Sequence, residues 1–255
     1  MAGGHAHTLH SHGHVHVDDS RVHAVAPQVK IATVILWVFS VVATPRTAVW
    51  AFGLHFLVVA SVATAAGLRL PTVLRRLAVE VPFVAFAVFL PLVGRGERIH
   101  VLGLSLSVAG LWAAWNIIVK GSLGVMAAVV LAETTSIRDL LLGLERLRMP
   151  TVVVQICGFM VRYGEVLAGE MHRMRIARLS RGHDPRWIWQ ARAVATSAGA
   201  LFIRSYERGE RVYLAMQSRG YEGHVPDLEG APARWWPAMI VPILGAAVTA
   251  GAWLA

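Results

Sequence analysis

Thr47 to Leu68 reads TAVWAFGLHFLVVASVATAAGL, 22 residues without Asp, Glu, Lys or Arg, and with His55 as the one ionisable side chain. A helix of that length rises about 33 Å, enough to cross the ~30 Å hydrocarbon core of a bilayer. Four similar runs flank it: Ile31–Pro45, Val81–Gly94, Ile99–Val119 and Trp235–Ala255. The first and third are short, and flanking residues such as Val29-Lys30 or Leu77-Ala78 would have to complete them. The chain is expected to be all-α and polytopic, with about five membrane-spanning helices.

Composition agrees. The 255 residues are 56% hydrophobic and only 15% charged, well below the ~25% charged residues of a soluble domain. The first 28 residues are polar and His-rich, with no basic segment leading into an apolar core, so no secretory signal is read there. The single cysteine, Cys157, excludes an internal disulfide and a cysteine-based zinc cluster. Its apolar neighbours Val153, Val154, Ile156 and Phe159 predict a buried, inert thiol.

The formal charge of +9 is unevenly placed. Arg69, Arg75 and Arg76 fall between the second and third runs, and Arg138 to Glu222 holds fourteen Arg against eight acidic residues. Basic loops stay in the cytoplasm, which puts the N-terminus inside and the C-terminus outside. Four regions follow: a His-rich tail at 1–28, four membrane helices at 29–132, a cytoplasmic helical coupling module at 133–234 and a closing span at 235–255.

Within the polar module Thr134-Thr135-Ser136 offers a helix N-cap, with Asp139 in the first turn. Thr151 to Arg178 can form one long helix, with Leu167, Met171 and Met174 on a single face. A second helix carries Phe202, Tyr206, Tyr213 and Met216 on one side, and Arg204, Arg208 and Arg211 on another. Each closes on the same tripeptide, Ser180-Arg181-Gly182 and Ser218-Arg219-Gly220. Glycine commonly ends helices, and a cation there suits the dipole. The arginine between is also a five-donor fork that can pair with a partner's carboxylates, and its duplication suggests two equivalent partners.

The stretches LERLRMPTVVVQICGFMVRYGEVLAGEMHRMRIARLSRG (Leu144–Gly182) and IRSYERGERVYLAMQSRGYEG (Ile203–Gly223) resemble the transmembrane T component of energy-coupling factor transporters, in the cobalt/nickel or CbiQ branch. The resemblance covers roughly residues 27–225, including Thr44-Pro45-Arg46 and LRRLAVEVPFVAFAVFLPL at Leu74–Leu92. It implies a non-catalytic subunit whose two tripeptides, Ala-Arg-Gly or Ser-Arg-Gly, dock into grooves of two ATP-binding-cassette ATPases. Ser180, Arg181, Gly182, Ser218, Arg219 and Gly220 would take that role here. The other implied partners are a substrate-binding S component and the lipid bilayer of the cell membrane, and no nucleic acid. ATP would be bound by the partner subunits. No G-x-x-x-x-G-K-[ST] loop is present, and Lys120 to Gly124 (KGSLG) has the wrong order.

Seven of twelve histidines lie in the first 23 residues. His5, His7, His10, His12, His14 and His16 could bind cobalt or nickel weakly in a flexible tail, since imidazole suits several divalent metals without choosing among them. Cobalt transport also ties the chain by expectation to cobalamin biosynthesis. Lys120 is expected just past the end of a span near Val119, where the helix runs on into the cytoplasm or against partner helices. His55, inside the second span, is expected to be neutral and hydrogen-bonded, the alternative being a polar contact to the substrate subunit. Two alternatives remain at this level: a T component for another micronutrient such as biotin, or an independent membrane metal carrier or sensor. The carrier would need acidic or His ligands within its spans, where the uncharged runs offer only His55 and His100.

Overall fold

A computed structural model describes residues 22, 25–68, 70–94, 97–101, 104–182, 191–223 and 236–254. In chain order the elements are α1 (Pro27–Ala43), α2 (Val49–Ala65), α3 (Leu70–Leu77), a 3-10 turn (Ala78–Glu80), α4 (Val81–Val93), β1 (Arg98–Val101), β2 (Leu104–Ser107) and α5 (Val108–Thr134). They continue with α6 (Ile137–Arg146), α7 (Thr151–Ser180), α8 (Ala191–Gln217), a 3-10 turn (Trp236–Met239) and α9 (Ile240–Leu254). These form two compact units: Leu144–Gly230, and the remainder of the chain on either side of it.

The first unit is a helix bundle whose directions follow from its cross-contacts. Lys30 Nζ donates to Thr134 O at 2.8 Å, while Lys120 Nζ donates to Val42 O at 2.7 Å and Thr44 O at 3.0 Å. The start of α1 therefore lies at the end of α5, and the two run antiparallel. Ser40 and Thr249 hydroxyls meet at 2.7 Å, and Trp253 Nε1 donates to Ala43 O at 3.0 Å, so α9 runs parallel to α1. A core of Trp37, Val41, Phe52, Val59, Val73, Leu123 and Met126 draws on α1, α2, α3 and α5.

Helices α4 and α5 pack antiparallel at close range because Gly110 has no side chain. A Cβ there would lie 2.7 Å from the Pro91 Cα. Small residues let helix backbones approach where lipid supplies no hydrophobic drive between helices. At the other end of this pair Glu80 is buried, and its carboxylate accepts from the Ser122 hydroxyl at 2.8 Å.

Pro71–Val93, Val108–Thr134 and Thr151–Ser180 are long and apolar enough to cross a membrane, and Pro27–Ala43, Val49–Ala65 and Ile240–Leu254 are shorter apolar helices. The chain is a helical membrane protein. α7 meets the length and composition test although the sequence places it in the polar module, because its first half is apolar and its charges begin at Arg162.

Three expectations are corrected. The all-α expectation misses a hairpin in which Arg98 pairs with Ser107 and Val101 with Leu104. Its trace in the sequence is Leu-Ser-Leu-Ser at 104–107, a period-2 alternation hidden in the apolar run Ile99–Val119. The fourth apolar helix accordingly starts at Val108. Second, the stretch long and apolar enough to span does not end near Val119 but runs on to Thr134. Lys120 sits inside α5, where its ammonium satisfies carbonyls at the C-terminal end of α1, a favourable place for a cation. Third, Cys157 is half-exposed. Of its apolar neighbours Val154 is buried, but Val153 and Ile156 are exposed.

His55 is completely buried, with Nε2 3.3 Å from the Thr44 hydroxyl and its ring edge-on to Trp37. The Thr44 hydroxyl also meets Thr249 at 3.2 Å. This polar cluster ties α1, α2 and α9 together.

Candidate coupling site

The second unit is built on α7 and α8. Tyr221, just past α8, bonds to Gln155 in the second turn of α7, and Arg204 near the middle of α8 pairs with Glu170 two thirds of the way along α7. The two helices are therefore antiparallel. Between them Phe159, Tyr163 and Leu167 of α7 face Val212, Tyr213 and Met216 of α8 around a cavity of about 250 Å³. Of the two predicted apolar faces, Leu167, Tyr213 and Met216 line this cavity, while Phe202 and Tyr206 remain exposed. Arg208, predicted for the basic face, lines it too.

Both Ser-Arg-Gly tripeptides terminate their helices with the same geometry. Gly182 and Gly220 have φ of +74° and +82°, the left-handed conformation that glycine adopts without Cβ strain. Gly182 N donates to Leu179 O at 3.0 Å, and Gly220 N to Gln217 O at 3.0 Å. At the second copy Tyr221 N also reaches Met216 O at 3.0 Å, completing a Schellman motif. Each serine hydroxyl donates to the carbonyl three residues back, Ser180 to Ala177 at 3.1 Å and Ser218 to Ala215 at 3.0 Å. All six residues are exposed, but the serine hydroxyls and glycine amides are bonded within the caps, which leaves the guanidinium of each tripeptide for a partner.

Arg181 and Arg219 are both exposed, and neither pairs with an acidic side chain among the described residues. Because the helices are antiparallel, the two arginines lie at opposite ends of the pair. From Gln155 to Ser180, α7 rises about 38 Å at 1.5 Å per residue. The α7–α8 pair thus presents two like groups about one helix length apart.

Glu170 is the junction of the pair. Its Oε2 accepts from Arg173 at 2.7 Å and its Oε1 from Arg204 at 2.9 Å. The Glu170–Arg204 pair and the Gln155–Tyr221 bond each join residues more than 30 positions apart, which no local sequence pattern reveals. The glycines of GYEG at 220–223 were the available signal for a turn.

The histidines proposed as weak metal ligands, His5, His7, His10, His12, His14 and His16, lie outside the described residues. Among the described residues no three His, Cys, Asp or Glu side chains come together as a metal-binding group.

The sequence profile of the cobalt transport protein family, CbiQ, matches residues 18–228. The chain is 30% identical over 152 residues to a fused cobalt transport protein, CbiMQ, of Methanocorpusculum labreanum, covering 56% of this chain and 25% of that protein. It is 31% identical over 235 residues to the energy-coupling factor transporter transmembrane protein EcfT of Thermanaerovibrio acidaminovorans, covering 85% of each. It is 28% identical over 135 residues to the nickel permease LarQ of Lactiplantibacillus plantarum, covering 49% of this chain and 48% of that one. The first curated relatives are matched over a quarter to about half of their own length.

Proposed function

Because the chain belongs to the CbiQ family, the transmembrane T components of energy-coupling factor transporters, we propose that it is the scaffold subunit of an importer for cobalt or nickel ions. Two partner ATPases bind and hydrolyse ATP, a membrane-embedded S component captures the ion, and this chain joins them. The observation that carries the role is the pair of identically capped helix ends, each leaving one exposed arginine at opposite ends of one helix pair. Arg181 docks on one ATPase and Arg219 on the other, with Ser180, Gly182, Ser218 and Gly220 holding each guanidinium outward. The metal choice rests on the family description and on the relatives named for cobalt and nickel.

In this scheme α1, α2, α3–α4, α5 and α9 cross the membrane with the N-terminus and the α7–α8 pair in the cytoplasm. The antiparallel α1–α5 pair and the parallel α1–α9 pair fit that alternation. Opening and closing of the ATPase dimer changes the separation of its two docking grooves. Only contacts that differ between the two states can shift a conformational equilibrium, and the two anchored helix ends supply them.

Replacing Arg181 and Arg219 together with Glu tests the assignment. The expected result is loss of ATPase copurification and of metal uptake, with each single variant intermediate. Wild-type assembly in the double variant would refute it.

A further inference from the structure

We propose that Gln155 is a positioning residue that latches the second tripeptide to α7, making α7 a strut between the two ATPase contacts; this rests on the coupling role above. Beyond α8 the chain passes through Gly220-Tyr221-Glu222-Gly223, and both glycines are left-handed, with φ of +82° and +91°. An added Cβ would meet nothing within 4 Å at either position. Neighbouring side chains therefore do not stiffen this turn, and glycine itself permits wide backbone freedom. The Schellman bonds tie Gly220 and Tyr221 to the end of α8 alone, so without a further contact the turn would swivel at Gly223 and displacement of Arg219 would reach α8 but not α7.

Gln155 removes that freedom with both ends of its amide. Its Oε1 accepts from the Tyr221 hydroxyl at 2.6 Å, and its Nε2 donates to Gly223 O at 2.8 Å. The two bonds fix the amide orientation and straddle Glu222. They anchor the turn on the second turn of α7, while Arg181 caps the far end of the same helix. A push on Arg219 is then delivered to α7 as well as to α8. The tripeptides act through one helix, and the latch is needed for transmission and not for docking.

The test is the complete transporter purified from its own membrane, comparing wild type with Gln155→Ala, Tyr221→Phe and the double variant. In Gln155→Ala the ATPases are expected to remain bound and to hydrolyse ATP within about twofold of wild type, while cobalt(II) or nickel(II) uptake falls about fivefold or more. Tyr221→Phe, which loses one bond, should fall between. The double variant should be no worse than Gln155→Ala, because residues in one hydrogen-bond network are not additive. Spin labels at exposed Val152 and Leu214, introduced after Cys157→Ser, should give a narrow distance distribution in wild type and a broad one in Gln155→Ala. Unchanged uptake with an unchanged distribution overturns the proposal, as does loss of the ATPases from Gln155→Ala, which would make the residue part of docking or folding. Failure of the coupling role itself would show separately, as an intact complex in the Arg181/Arg219 double variant.

Discussion

Lys120 shows at the scale of one residue how a charge within an apolar helix is accommodated. Its ammonium donates to the carbonyls of Val42 and Thr44, which the end of α1 leaves without helical partners, and lies 5.9 Å from the Phe52 ring. The charge is thus consumed in joining α5 to α1. Lys120→Met should destabilise the bundle by about 2 kcal/mol, the scale of hydrogen bonds to a charged group. A lowered melting midpoint of the purified chain in detergent would register it, and an unchanged midpoint would assign Lys120 no structural part. The tripeptides divide their work in the same atom-by-atom manner: hydroxyls and glycines close the helices, and Arg181 and Arg219 are left for a partner.

Between elements, close approach is decided by glycine position. Gly110 and Gly124 both lie in α5, and the sequence does not distinguish them. A Cβ at Gly110 would run into the Leu90 and Pro91 backbone of α4, whereas at Gly124 it would meet nothing within 4 Å. Gly110→Ala should therefore cost about 1–3 kcal/mol by forcing the helices apart. Gly124→Ala should be neutral or stabilising by up to about 1 kcal/mol through helix propensity. Thermal denaturation of the two variants side by side checks this, and equal midpoints would show that α4 and α5 do not pack as described. The hairpin between these helices was missed at the same scale. Four residues of alternation are too short a signal to stand out within an apolar run, and strand pairing depends on a partner the local pattern does not reveal.

For the whole molecule, charge and apolarity are separated along the chain: the basic excess sits between Arg138 and Glu222, and long uncharged runs lie on either side. This separation supports the proposed orientation. The His-rich tail precedes α1, and a deletion of residues 1–21 keeps every described residue, including the buried Val25 and Ala26. That deletion should abolish weak cobalt(II) and nickel(II) binding to the chain in isothermal titration. It should leave uptake at saturating metal unchanged and reduce it at limiting metal. Unchanged uptake at limiting metal would show the tail to be dispensable.

The sequence by itself determined the helical membrane class, the basic helical module and the two Ser-Arg-Gly helix ends. These depend on local properties: run length, periodicity, and glycine's access to a left-handed backbone. The tertiary structure decided that the tripeptides lie at opposite ends of one antiparallel pair, that Gln155 holds the turn after the second, and that Lys120 joins α5 to the end of α1. Each joins residues distant in the chain, through hydrogen bonds that exist only once the helices have packed.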